Sequence, residues 1–300
     1  MNRIKRSHPF LFVGGVCVLV LAVAVARTCR KSVPAPSRTG TEKAGRFSWP
    51  SGIRAAVSIT FDHSTGSQLD KGVPILDAHG IKATFYPDIP EMRKRLADWR
   101  RVMARGHEIG NHSLNHPCSG GFRFERKRGG KYSLENATVE WVEKDIMEAN
   151  SELKSMLGTE PGTFSYPCGE TFAGTGARSR SYVPVVAKHF LVGRGFGLDF
   201  SNNPADCDLA KVNALAADGY SFARFKAAID GAIAGGYWVI FCGHSVGEKG
   251  GSYPAIEPAE LEKVCSWLET HRREVWTGTV LEVGEYISRE RRNLAERRGN

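Results

Sequence analysis

The 300-residue sequence contains no internal repeat, no CxxC pair and only one long apolar run. The single run excludes a polytopic membrane protein. A hydrophobic fraction of 41% with 24% charged residues excludes wholesale disorder and a collagen-like polymer. The body of the chain also lacks a surplus of basic residues, although the formal net charge is +9. Residues 1–50 hold nine Lys/Arg and one acid, residues 289–300 hold five Arg and two Glu, and the 238 residues between hold 27 bases and 29 acids. The basic charge therefore sits at the two ends, and a nucleic-acid footprint on the folded body is excluded.

What the N-terminus does have is Arg3, Lys5 and Arg6 ahead of an apolar run from Pro9 to Ala26, a charged segment followed by a hydrophobic one. Two small-residue triplets, Ala22-Val23-Ala24 and Ala24-Val25-Ala26, can serve as cleavage sites. A cleaved signal peptide and an uncleaved anchor over residues 1–30 both fit, and either implies export, with membrane contact only through this segment. Residues 31–50, with Pro34, Pro36, Gly40 and Gly45, read as a linker, 51–290 as the folded domain and 291–300 as a basic tail. Export makes disulfides chemically accessible. The spacing of Cys17, Cys29, Cys118, Cys168, Cys207, Cys242 and Cys265 assigns no pairing, and mostly free, buried cysteines fit equally well.

From Ile53 onward short apolar runs alternate with helical periodicity. Strands are expected at Ala55–Phe61, Lys82–Tyr86, His107–Gly110, Thr163–Tyr166, Phe190–Arg194, Tyr237–Cys242 and Val275–Thr277. Helices are expected at Gln68–His79, Glu91–Arg105, Leu134–Leu157, Ser221–Ala234, Pro258–His271 and Val280–Arg289. The alternation points to an α/β fold, and about eight strands over 240 residues fits a (β/α) barrel better than an open sheet.

In such a barrel chemistry gathers just past strand C-terminal ends. Asp62-His63, His112-Ser113-Leu114-Asn115-His116, Tyr166-Pro167-Cys168-Gly169 and His244 all follow expected strands. His112 and His116, four apart, present two imidazoles to one metal ion if the segment is helical. Ser113 stands where a metalloprotease of the HExxH type needs its glutamate, which argues against that class. Asp62 or His63 is expected to complete the ligand set, with Zn²⁺ suited to imidazole donors. His244 fits a general acid or base, with Asp199, Asp206 or Asp208 as the carboxylate that orients it.

These segments together resemble the polysaccharide deacetylases, the NodB-type family-four carbohydrate esterases. The resemblance is carried by ITFDHS at Ile59–Ser64, KATFY at Lys82–Tyr86, GHEIGNHSLNH at Gly106–His116, FSYPCG at Phe164–Gly169 and VIFCGH at Val239–His244. It implies a distorted (β/α) barrel of seven or eight strands and metal-dependent removal of N- or O-acetyl groups from a polysaccharide or oligosaccharide. It implies Asp62 as base, His244 as acid, His112 and His116 as metal ligands, and the backbone amide of Cys168 in the oxyanion hole. Tyr166 and Pro167 fall in the substrate-binding motif. The sequence departs from the family pattern twice. His63 replaces the second aspartate of TFDDG, which gives a ligand set of His63, His112 and His116, and Ser165-Tyr166-Pro167-Cys168-Gly169 lacks the arginine that orients the base. A catalytically decayed glycan-binding barrel and a hydrolase of a non-sugar C–N bond are the alternatives. Gly120–Tyr132, with five bases, one acid and three aromatics, reads as a solvated loop or as a substrate rim.

Overall fold

The computed structural model describes residues 47–248 and 254–299. The expected signal segment, Cys17, Cys29 and most of the expected linker lie outside them. No helix among the described residues is long and apolar enough to cross a membrane.

The strands are β1 (Ala55–Asp62), β2 (Thr84–Tyr86), β3 (Glu108–Ile109), β4 (Thr163–Ser165), β5 (Phe172–Ala173), β6 (Arg180–Ser181), β7 (Val192–Arg194), β8 (Leu215–Ala216), β9 (Trp238–Gly243) and β10 (Val275–Thr277). The main sheet is parallel in the order β3-β2-β1-β9-β8. Along one edge β1 pairs with β10 through Ala55–Val57 and with β2 through Thr60–Asp62, so two strands share that edge. β4 and β7 form a separate parallel pair, and β5 and β6 an antiparallel one. Single parallel bridges, Asn111 to Phe164 and Arg194 to Val212, link the β4–β7 pair to the main sheet on both sides. The result is a distorted (β/α) barrel of seven strands round the ring, not closed by continuous ladders.

All eight residues of β1 and all six of β9 are buried, as expected for strands covered on both faces. One face packs Val57, Ile59, Phe61, Phe85, Val239 and Phe241 among the surrounding helices. The opposite face carries Ala56, Trp238, Ile240 and Cys242. Its buried polar groups are paired: Trp238 Nε1 donates to Ser58 Oγ at 3.0 Å, and Ser58 donates to the Gly278 carbonyl at 2.8 Å. Phe47 and Trp49, at the start of the described chain, pack against the Tyr286 ring.

The helices differ from the sequence expectation where local chemistry overrides periodicity. Glu91–Arg105 is two helices, Ile89–Lys94 and Leu96–Ala104, broken at Arg95, which ion-pairs with Asp70 and Asp98. Gln68–His79 opens as a wide π-type turn, Gln68–Gly72, before the helix Val73–Ala78. The long helix starts at Val139 instead of Leu134, because the Thr138 side chain caps it by accepting from the Trp141 amide. It ends at Gly158, whose φ of +78° suits glycine. The last helix, Val280–Gly299, runs on through most of the expected basic tail.

Candidate functional site

The parallel register brings the strand ends to one rim. Asp62 lies opposite Tyr86, and Phe61 lies opposite Gly243, so the residues after β1 and β9 emerge together. His63, His112 and His116 converge there, and their ligand nitrogens all lie within 4.8 Å of one another. Nε2 of His63 is 3.1 Å from Nε2 of His116.

His112 and His116 do not meet on a helix, as their spacing suggested. The segment after β3 is a loop in which Ser113 and His116 both adopt left-handed backbone, with φ of +64° and +51°. Buried polar groups hold it. Asp145 accepts from the Leu114 and Asn115 amides and from the Asn115 side chain. Asn111 Oδ1 accepts from the Ser113 amide at 2.6 Å, and Ser113 Oγ from the His116 amide at 3.0 Å. Among the described residues, the non-glycine residues of positive φ are His63, Ser64, Ser113, His116 and Cys168. All five lie on the three loops that form this rim. Backbone strain is thus concentrated where side chains must be aimed.

The donor set fits a metal ion of the zinc kind. His112 is 3% exposed, and its Nδ1 lies 2.9 Å from the Ser165 carbonyl. A carbonyl only accepts, so Nδ1 carries the proton and Nε2 presents a lone pair. That Nε2 is buried and has no hydrogen-bond partner. An imidazole whose other nitrogen is fixed by a carbonyl is the usual arrangement of a metal-binding histidine. Burial lowers the pKa of all three imidazoles, that of His112 to about 3, which keeps them in the neutral, ligating form. A second group, His116 with Cys118 and Cys168, offers no thiolate because the two cysteines form a disulfide. That pairing was left open by the sequence, whereas Cys207, Cys242 and Cys265 are free.

Asp62 is buried beside this cluster, with Oδ2 3.9 Å from His112 Nε2. The arginine missing from the third motif is supplied from elsewhere. Arg194, at the end of β7 and fully buried, donates from Nη2 to Asp62 Oδ1 and to Ser165 Oγ. Ser165 thus sits in the motif position where an arginine was sought and fastens the guanidinium that arrives from the neighbouring strand. Burial would push the Asp62 carboxyl up, but Arg194 and the nearby imidazoles outweigh it and hold it well below the usual carboxylate range.

The His244 carboxylate also differs from expectation. Asp206 bonds to Asn203, and Asp208 caps the turn at Leu209 through the Ala210 amide. Asp218, just past β8, takes the role instead, with Oδ2 2.5 Å from His244 Nδ1 and Oδ1 accepting from the His244 amide at 3.0 Å. Burial alone would lower the His244 pKa, but the Asp218 hydrogen bond and the charges of Asp62 and Asp218 raise it overall. The His244 ring lies 5.2 Å from that of His63. Gln68 bridges the two loops, donating to the carbonyls of Asp62 and His244 at 2.6 and 2.8 Å.

Of the third-motif residues, Cys168 has φ +56° and is bonded through sulfur to Cys118, two residues past His116. Tyr166, expected in the substrate-binding motif, lies inside the fold. It is 1% exposed, and its hydroxyl donates to the Ala210 carbonyl at 2.6 Å. Pro167 is buried as well and leads into the Cys168 turn.

Residues 51–182 match the family model for polysaccharide deacetylase. The matched segment, 132 of the 300 residues, is similar to that family. A candidate polysaccharide deacetylase from Mycobacterium smegmatis shares the fold with a TM-score of 0.57 at 15% identity, over 83% of this chain and 95% of that one. The peptidoglycan deacetylase PdaC of Bacillus subtilis gives a TM-score of 0.51 at 15% identity, over 83% and 98%. In sequence, the uncharacterized protein YlxY of Bacillus subtilis strain 168 is 29% identical over 101 residues, 34% of this chain. The match spans about a quarter of that relative's length, 27%.

Proposed function

We propose that this chain is a metal-dependent deacetylase that hydrolyses an N- or O-acetyl group on a carbohydrate. The observation that carries the reading is the convergence of three neutral imidazoles beside a carboxylate held by its own arginine. A divalent ion of the zinc kind held by His63, His112 and His116 supplies Lewis acidity toward water and toward the acetyl carbonyl.

The chain's own groups supply the proton transfers. Asp62, kept ionised by Arg194, takes a proton from the attacking water as the oxygen–carbon bond forms. The Cys168 amide donates to the oxyanion that develops on the carbonyl. His244, oriented by Asp218, gives its Nε2 proton to the departing nitrogen or oxygen as the acetyl bond breaks, leaving acetate and a free amine or hydroxyl. The alternative of a decayed glycan-binding barrel drew on two departures from the family pattern. Arg194 removes one of them, and His63 is itself a sound zinc ligand.

Export fits the charged and apolar N-terminus, and the Cys118–Cys168 disulfide supports an oxidising compartment.

The test is acetate release from acetylated oligosaccharides by the purified protein, with metal content measured in parallel. His112→Ala should lose stoichiometric metal and activity together. Asp62→Asn and His244→Ala should keep most of the metal and lose roughly 10²–10⁴-fold in turnover. Unchanged metal content in His112→Ala would overturn the ligand set, and full activity in Asp62→Asn would overturn the assignment of the base.

A further inference from the structure

The segment that follows His116 is a fixed, outward-facing array of cations and rings, not a loose loop. Three glutamates, Glu125 of the segment itself and Glu135 and Glu170 from beyond it, accept from its backbone amides. Glu170 accepts from the Ser119 amide at 2.6 Å, and Glu135 accepts from the Gly120 amide at 2.9 Å. Glu125, fully buried, accepts from the Tyr132 amide at 2.8 Å. Arg128 adds a fourth tie, donating to the Asn115 carbonyl at 2.9 Å.

The bases remain outside. Arg123, Arg126, Lys127 and Lys131 are exposed, and no ion pair with a carboxylate is seen for any of them among the described residues. The rings are interleaved with them. Phe122 and Phe124 are 39% and 37% exposed, with centroids 5.6 Å apart. The Arg128 guanidinium carbon lies 5.7 Å from the Phe124 centroid and 5.5 Å from that of Tyr132. The array is continuous with the candidate site, because the Phe124 ring stands 5.6 Å from the ring of His116.

We propose that residues 119–132 form a subsite for an anionic glycan, a chain whose sugar rings carry carboxylates, and that this subsite sets the polymer the enzyme accepts. The inference rests on the deacetylase reading for the identity of the site it adjoins. Its chemistry follows from the array. The apolar faces of pyranose rings stack on Phe122 and Phe124, and carboxylates one ring apart meet the cations between them. A neutral polymer would use the rings and leave the cations without partners. The array is a local basic patch on a folded body whose other residues, within 51–288, hold 22 bases and 28 acids, and it draws an anionic chain toward the site.

The experiment is titration calorimetry of the full-length protein with an O-acetylated hexauronate and with its carboxyl-reduced, neutral counterpart. The expected result is tighter binding of the hexauronate, weakening as salt is raised, because exposed charge pairs are screened. The triple variant Arg123→Ser, Lys127→Ser, Lys131→Ser should bind the hexauronate roughly 5- to 50-fold more weakly, three exposed ion pairs being lost. Its preference for the charged over the neutral ligand should disappear, with an unchanged melting temperature. Phe124→Ser should weaken both ligands.

Equal affinity of the wild type for the two oligosaccharides would overturn the proposal, as would an unaltered preference in the triple variant. Binding to phosphatidylglycerol vesicles that the triple variant loses, without binding to the hexauronate, would also overturn it and assign the array to a membrane surface. Because the titration reads binding, it stands even if acetate is never released, which would sink the deacetylase reading alone.

Discussion

Replacing Arg194 by methionine isolates the least expected feature of the site. The guanidinium is fully buried, donates to Asp62 Oδ1 and Ser165 Oγ, donates to the Gly195 carbonyl at 3.2 Å, and lies 5.0 Å from the Tyr86 centroid. Methionine fills much of the volume but leaves the buried Asp62 carboxylate without its cation. Breaking a buried pair by removing one partner costs about 3–5 kcal/mol. Asp62→Asn should cost a similar amount, because it strands the arginine instead. The double variant removes both charges, so its destabilisation should fall well below the sum, with a coupling of at least about 2 kcal/mol. Urea unfolding of the wild type, both single variants and the double variant, after chelation of any metal, measures this coupling. Turnover should fall in Arg194→Met by about 10²-fold, the cost of a base displaced by an ångström. Arg194→Lys keeps a charge but lacks the fork that spans Asp62 and Ser165, so it should recover only part of each loss. Additive destabilisation within about 0.5 kcal/mol, or turnover within threefold of wild type in Arg194→Met, would refute the pairing as the support of the base.

Asp218→Asn should lower turnover by about 10²-fold and move the basic limb of the pH–rate profile to lower pH, because burial then acts on His244 without the carboxylate that raises its pKa; an unmoved limb would separate Asp218 from the acid. Reduction of the Cys118–Cys168 disulfide, or Cys118→Ser with Cys168→Ser, should lower both melting temperature and activity. Over a separation of 50 residues the loop-entropy contribution is about 4 kcal/mol, and an unchanged melting temperature on reduction would contradict it. Hydrogen bonds to Glu269 and Glu262 raise the His79 pKa above its ordinary value, so its stabilisation is complete below about pH 6.5 and is lost as pH rises through the raised value. The gap in melting temperature between wild type and His79→Gln should therefore shrink between pH 6 and pH 9, and a gap that widens would reverse the assignment.

The parts of the site legible in sequence were those displayed at the ends of recognisable strands. β1 and β9 are long and apolar, so Asp62, His63 and His244 could be placed from the runs that precede them. Asp218 was missed because β8 is only Leu215–Ala216, too short to show any pattern, although the residue obeys the same strand-end rule. Arg194 ends a strand that was expected, yet the arginine was sought within one motif, and nothing in a linear motif shows that the next strand round the barrel can deliver the same group to the same carboxylate. The pair His112 and His116 was expected on a helix and lies on a loop. A spacing of four suggests a helix, whereas Asp145 and Asn111, from distant and adjoining segments, fold the chain into a left-handed loop. The disulfide was unreadable because cysteine spacing carries no distance information once two loops 50 residues apart meet at one rim.

The five left-handed residues at the rim have a bearing on engineering. Each costs of the order of 1–3 kcal/mol, so together they approach the whole net stability of an ordinary domain, about 5–15 kcal/mol. Selection for heat resistance alone would find its largest single gains here, by placing glycine or asparagine at His63, Ser64, Ser113 or His116, since Cys168 is held by its disulfide, and two of these four are proposed to work in the reaction. A thermostability screen run without an activity filter would therefore enrich inactive variants. A lineage released from its substrate would drift the same way, growing sturdier as it lost function.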